Sequence, residues 1–333
     1  MILVTGGTGM LGAHLLFKLV KANEQVRATY RSEKSLEKVK TVFAYYTQEV
    51  SEQFSKIDWV KADITDVPSL EVAFVGVQKV FHVAALVSFD DRNYKEMRSV
   101  NIKGTANIVN LCLDFSIEKL CFVSSIATLS KTVGKSYVDE EDEFNLELSN
   151  YGYAITKHGA EMEVWRGSQE GLPVVVVNPG IILGPGFWNE NSGTLFSMVH
   201  RGFSFYTLGV TGFVGVDDVV DIMLTSMKHS VVNERFVLVS ENLNFKVVMD
   251  MIAKNFGIKG PSFKVSLFMA EVGWRLSWLK SKLTGLPNTF SKHTAKSANK
   301  NSYYSSGKVK NTFDYCFESI ESVITKICQK FLD

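Results

Sequence analysis

Eight residues near the start of the chain, Thr5-Gly6-Gly7-Thr8-Gly9-Met10-Leu11-Gly12, limit the folds open to it. A short apolar run at 2–4 precedes them, and an apolar series at helical spacing, 11–20, follows. Glycines placed between a strand and a helix let the backbone come close to a bulky anion. The helix N-terminus then attracts its charge. The segment carries GxGxxG from Gly7 to Gly12 and TGxxGxxG through Gly6, Gly9 and Gly12. In this strand–turn–helix context both patterns read as a cradle for the pyrophosphate of a dinucleotide. No Lys-Ser or Lys-Thr pair follows, so a Walker-type nucleotide loop is excluded.

The pattern then repeats. Apolar runs without alternation predict strands at 25–30, 57–62, 80–85, 119–124 and 174–177. Helical spacing between them predicts helices at 35–46, 67–75, 101–115 and 153–170. Such alternation means crossover connections and an α/β fold with a doubly wound parallel sheet of the Rossmann type. Residues 1–177 are expected to form this dinucleotide-binding domain. Residues 213–240 are expected to return to it, with a helix at 217–227 and a strand at 235–239. Residues 178–212 and 241–333 are left as a smaller, mostly helical substrate-binding part. Residues 180–205 read there as a loop plus a short helix, and Pro287 breaks a Lys-rich helical tail.

Composition narrows the partners. Lys plus Arg number 36 against 35 Asp plus Glu in 333 residues, so no global charge draws the chain to nucleic acid. Cys112, Cys121, Cys316 and Cys328 form no CxxC pair and no Cys/His cluster. No metal site and no disulfide framework are expected, and reduced thiols fit a cytoplasmic protein. Glycines interrupt the N-terminal apolar run, which argues against a signal peptide. No window reaches about 18 uninterrupted apolar residues, so no membrane insertion is expected.

Two further places carry chemistry. An acid at the end of the second strand would hold a ribose diol, as NAD requires. Here that strand ends Thr29-Tyr30-Arg31-Ser32, and a guanidinium suits a phosphate instead. NADP is therefore favoured, with Glu33 keeping NAD open. Asp63, followed by Ile64, stands after the third strand, where an adenine can lie or where it can cap a helix. Tyr153-Ala154-Ile155-Thr156-Lys157 puts a phenol and an ammonium on one helix face. A neighbouring ammonium draws a phenol's pKa down and makes it an acid/base. Ser124 and Ser125 end the fifth strand, where a hydroxyl can meet a substrate oxygen as charge develops.

Thr5 to Gly12, His82-Val83-Ala84-Ala85, Asn101-Ile102-Lys103-Gly104-Thr105, Val123-Ser124-Ser125, Tyr153 to Lys157 and Asn178-Pro179 occur together. In their order and spacing the chain resembles the extended short-chain dehydrogenase/reductases. The resemblance implies an active site of Ser125, Tyr153 and Lys157, with Ser125 rather than Ser124 as the catalytic hydroxyl. It implies that Val83, Ala84 and Ala85 line the cofactor, with Val123 beside them. Asn101 would support the central helix and strand, and Pro179, Gly180, Ile181 and Ile182 would contact the nicotinamide end. The dihydroflavonol 4-reductase-like branch is the most similar one. Its second strand resembles 26–31, Lys38 matches a second phosphate-binding position, and its C-terminal end resembles 302–310. The segment 186–205 departs from it, so the flavonoid substrate does not transfer.

The sequence thus reads as an NADP-dependent oxidoreductase acting on a small carbonyl or alcohol compound. Phe187, Trp188, Phe196, Phe203 and Tyr206 suggest an apolar pocket. An NAD-dependent nucleotide-sugar epimerase shares the same triad, and a non-catalytic dinucleotide sensor shares the fold. A dehydratase would want an Asp-Glu pair where Ile126 and Ala127 stand. A homodimer is left open. His82 and His158 are expected to pack rather than react. Trp274, Trp278 and Leu279 are expected on a core face or subunit contact, with a membrane-facing amphipathic patch formed with the nearby lysines as the alternative, and Lys292, Lys296 and Lys300 are expected in solvent.

Overall fold

The structure, a computed structural model, describes residues 1–147, 151–284 and 299–332. Seven parallel strands form the main sheet in the order β10-β6-β5-β4-β1-β2-β3. These are β1 (Ile2–Thr5), β2 (Val26–Tyr30), β3 (Ile57–Lys61), β4 (Lys79–His82), β5 (Lys119–Val123), β6 (Val174–Pro179) and β10 (Glu234–Leu238). Strand side chains alternate between two cores. Val4, Cys121, Val123, Val175 and Val177 face helices Met10–Lys21, Lys34–Ala44 and Val216–Lys228. Leu3, Leu120, Phe122, Val174 and Val176 face helices Val67–Phe74, Gly104–Asp114 and Gly152–Gln169. Burial on both faces explains why these strands read as continuous apolar runs. Lys119 is the exception. Its ammonium donates to the carbonyls of Ser226, His229 and Val231 at 2.7–2.8 Å, closing the end of helix Val216–Lys228.

The chain winds outward in opposite directions from β1, which lies between β2 and β4. The crevice at the carboxyl ends of β1, β4 and β5 is therefore the ligand position of this sheet type. β10 runs parallel to β6, Glu234 opposite Val175.

The smaller lobe carries more strand than its sequence suggests. β7 (Ile181–Leu183), β9 (Val210–Gly215) and β11 (Glu241–Asn244) make a three-stranded sheet, and β8 (Phe205–Tyr206) pairs with β12 (Phe263–Lys264). Phe213 thus belongs to this sheet rather than to the main one. Such strands are too short to show a period. Leu183, Phe196, Phe213, Val248, Ile252 and Ile324 pack beneath them against helices Phe245–Asn255 and Ile320–Leu332. A short helix, Val50–Ser55, precedes β3 and buries none of its residues. The segment expected as a strand to residue 85 leaves the sheet at His82. The helix expected from 101 starts at Gly104, after a wide π turn, Arg98–Lys103.

Helix Leu267–Thr284 corrects half of one expectation. Phe268, Val272, Leu276, Trp278 and Leu283 are exposed, so this is no core face, while the subunit contact stays open. The side chain of Leu279, and Pro287, Lys292 and Lys296, lie outside what the structure describes. Lys300 is exposed. Among the described residues no helix is long and apolar enough to cross a membrane.

Candidate active site and dinucleotide cradle

The glycine loop is shaped by contact with its own fold. Gly6 sits at φ +73, and a Cβ there would lie 2.5 Å from the Ala84 nitrogen. A Cβ on Gly12 would lie 2.2 Å from the Gly6 oxygen, and one on Gly7 2.8 Å from Leu16. These glycines let β1, the loop after β4 and the first helix close together. Gly9 is different. Only the Gly6 oxygen, at 3.4 Å, comes near its Cβ position. Gly9 is the N-cap of helix Met10–Lys21, and no side chain caps that end. The first N–H groups of the helix, at Met10, Leu11 and Gly12, have no intrahelical partner. An open, uncapped helix end beside Thr8 and Gly9 fits a pyrophosphate.

At the other end of this groove Arg31 and Asp63 face each other across β2 and β3, 4.0 Å apart, Arg31 largely exposed and Asp63 partly buried. Asp63 does not cap the helix that follows. Its Oδ1 accepts from the Thr65 N–H at 2.8 Å and hydroxyl at 2.7 Å. Partial burial raises the Asp63 carboxyl, but the two Thr65 bonds and Arg31 outweigh it, and the net shift is downward. Ile64 turns into the core, so it can offer a ligand only backbone. Lys38 is ion-paired with Glu190 and stands 5.6 Å over the Phe187 ring. Phosphate binding by Lys38 would have to displace Glu190.

The loop after β4 is held by Asn101. Its Oδ1 accepts from the Leu86 N–H at 2.7 Å, and its amide donates to the Leu86 carbonyl and to Thr156. So bonded, Asn101 fixes the backbone at Leu86, directly after Val83, Ala84 and Ala85. His82 bridges Thr5 at 2.7 Å and Thr105 at 3.0 Å, and burial drops its pKa to about 3. It is a neutral spacer. His158 stacks on Phe144 at 4.4 Å.

Ser124 and Ser125 point different ways. Ser124 donates to Glu161 at 2.5 Å inside the protein. Ser125 holds an extended backbone at the start of a one-turn helix, Ile126–Thr128. Its hydroxyl accepts from the Ala127 N–H at 3.1 Å. That hydroxyl also faces Tyr153 closely enough to pull the phenol's pKa downward. Lys157, one turn on, is 2% exposed and donates to the Val123 carbonyl at 2.8 Å. Burial lowers its pKa to about 7, against the pull of Glu161. Tyr153 is shifted upward by burial, only partly offset by Ser125. The expected drop toward neutrality is therefore corrected. The ammonium that should cause it is itself desolvated and turned to the tip of β5. Pro179 ends β6, and a Cβ on Gly180 would strike the Gly212 oxygen at 2.4 Å, so Gly180 joins β6 to β7, which carries Ile181 and Ile182.

Three residues not singled out in the sequence complete the site. Phe89 and Tyr151 have ring centroids 6.3 and 6.4 Å from Tyr153, and they form an aromatic wall. Their signal was weak, since Tyr151 looked like any residue before a helix. Glu161, 1% exposed, accepts from Ser124, Thr128, Asn178 and Trp165 and pairs with Arg235 at 3.4 Å. It ties the Ser125 loop to the helix of Tyr153 and Lys157. Its place one turn after Lys157 was the available clue. Glu161→Ala orphans these donors, and a loss of roughly 2–3 kcal/mol is expected. Urea unfolding of the variant should show a midpoint well below wild type with an unchanged slope. Phe187 packs in the core beside the main sheet, and Trp188 and Phe196 build the small lobe's interior, instead of a pocket wall beside Tyr153.

Comparisons with known proteins match this architecture. An NAD-binding family profile described as Male sterility protein matches residues 4–255. Tetraketide alpha-pyrone reductase 2 of Arabidopsis thaliana is 29% identical, covering 76% of this chain and 82% of its own. Dihydroflavonol 4-reductase of Hordeum vulgare is 24% identical, covering 77% and 75%. The structure of UDP-glucose 4-epimerase from Thermotoga maritima superposes with a TM-score of 0.77 at 20% identity, covering 99% of this chain and 98% of that one.

Proposed function

Because the chain belongs to the Male sterility protein family of extended short-chain dehydrogenase/reductases, near the dihydroflavonol-reductase-like branch, we propose that it is an NADP-dependent oxidoreductase interconverting a carbonyl and an alcohol. The observation that carries this reading is the Ser125–Tyr153 hydroxyl pair at the end of β5, beside the glycine cradle. Nicotinamide, when bound, supplies or accepts the hydride. Ser125 donates a hydrogen bond to the substrate oxygen. Tyr153 gives that oxygen its proton as negative charge builds there. Lys157, with a pKa about 7, can take up or release a proton at neutral pH beneath the pair. Phe89 and Tyr151 suit a substrate with an apolar or aromatic body.

Arg31 supports NADP, because a 2′-phosphate would meet a guanidinium at the end of β2. Arg31→Ala is expected to weaken NADP binding by about 10–100-fold, the worth of a hydrogen bond to a charged group, and to leave NAD nearly unchanged. Fluorescence titration of both cofactors checks this. Equal loss for both, or tighter NAD binding by wild type, removes the assignment. Asp63 is the observation that favours a second reading, an NAD-retaining epimerase, since a carboxylate there can hold a ribose diol. The two readings part on dialysis. A reductase exchanges cofactor each cycle and should emerge free of it, whereas stoichiometric NAD in the dialysed protein promotes the epimerase.

A further inference from the structure

Helix Leu267–Thr284 presents its apolar residues outward. Phe268 and Leu283 are each 77% exposed, Leu276 62% and Val272 40%. At 3.6 residues per turn these four fall within roughly 80° of arc. Ala270 and Ser281, only 4% and 5% exposed, lie on the opposite side. The stripe is therefore the solvent face of a helix whose other side is seated on the protein. Lys280 flanks it on one edge and Lys282 on the other, beside Arg275, whose guanidinium is ion-paired with Glu271. Lys282 stands 5.2 Å over the ring of Trp278, which is half-exposed beside it.

The charge pattern points the same way. Residues 272–313 hold one Arg and seven Lys with no Asp or Glu. The rest of the chain carries 28 basic and 35 acidic residues. A chain that is neutral as a whole thus carries a basic stretch of sequence that begins within this helix, just after Glu271. An apolar stripe edged by lysine and tryptophan is how a helix lies along a lipid surface. Basic residues beside it favour anionic headgroups. Nucleic acid would use the charge but not the leucines.

We propose that helix Leu267–Thr284 is a docking face for an anionic membrane surface, lying parallel to it and not crossing it. Phe268, Leu276 and Leu283 enter the headgroup–acyl boundary, and Lys280 and Lys282 meet the lipid phosphates. The reading of the active site is independent of this inference.

The test is co-sedimentation of the full chain with vesicles of phosphatidylcholine alone or mixed with phosphatidylserine. Pelleting with the mixed vesicles is expected, little with the neutral ones, and release at about 0.5 M salt, where the Debye length has shrunk to a few ångströms. Lys280→Ala/Lys282→Ala should weaken binding by roughly 25-fold, about fivefold for each lysine. Leu276→Asp/Leu283→Asp should abolish it. Both pairs are exposed, so circular dichroism and NADP titration should match wild type. Wild type that stays in solution, or variants that bind equally well, overturn the proposal. So does a dimer without vesicle binding that Leu276→Asp/Leu283→Asp splits into monomers, which makes the face a contact between two copies.

Discussion

Tyr153→Phe is expected to lower kcat by about 10²–10⁴, the usual worth of a positioned proton donor. Only the phenol oxygen is lost. The ring contacts with Phe89 and Tyr151 remain, so the wall and the fold should persist. Cofactor affinity should stay within a few-fold, because the glycine cradle and Arg31 lie elsewhere along the groove. Ser125→Ala should lower kcat as well, since the hydroxyl that meets Tyr153 is gone. Once a panel of aldehydes and ketones has supplied a substrate, steady-state NADPH oxidation reads both variants. Unchanged turnover in Tyr153→Phe would eliminate Tyr153 as the acid/base.

Lys157→Met should stabilise the cofactor-free protein while abolishing turnover. Burial moves the Lys157 pKa from 10.5 to about 7. At 1.36 kcal/mol per unit, keeping this lysine inside costs about 5 kcal/mol when it is charged. Removing it leaves the Val123 carbonyl without its donor, which returns about 1–2 kcal/mol of the gain. A net stabilisation of about 3 kcal/mol is expected at pH 6. Below pH 7 the lysine is protonated in both the folded and the unfolded chain, and the whole cost is present. Between about 7 and 10.5 the unfolded chain holds the proton and the folded one does not, so wild-type stability rises with pH. Above that range the cost is gone. Urea unfolding at pH 6 and pH 10 should show the variant's advantage shrink or reverse. An advantage that does not change with pH would show that the buried charge is not its source.

The sheet was legible because β5 and β6 are buried on both faces. Such strands must be apolar throughout, and a run like Val174-Val175-Val176-Val177 leaves little choice. The glycine loop was legible for a related reason, since the contacts at Gly6 and Gly12 tolerate no side chain. The small lobe was not. β7, β9 and β11 are three to six residues long, and their pairing is set by distant partners such as Phe213 opposite Glu241. Within the site, residue types were legible and environments were not. Tyr153 and Lys157 share a helix face, but the direction of each pKa shift depends on burial that spacing cannot reveal. The same holds for Glu161, whose partners Ser124 and Thr128, Asn178 and Arg235 come from three separate parts of the chain. Helix Leu267–Thr284 shows the converse case, an apolar spacing that the structure turns outward.

The central claim is that the site beside Ser125 and Tyr153 passes hydride between a dissociable NADP and a carbonyl carbon. Single-turnover reaction with NADPH carrying deuterium at nicotinamide C4 tests it most directly, using a carbonyl compound that the enzyme turns over. The account predicts cofactor-free protein after dialysis, one deuterium on the carbinol carbon of the product for each NADPH oxidised, and the same transfer slowed by about 10²–10⁴ in Tyr153→Phe. Bound NAD that survives dialysis, with no deuterium delivered to any carbonyl and a UDP-sugar pair interconverted instead, would contradict it.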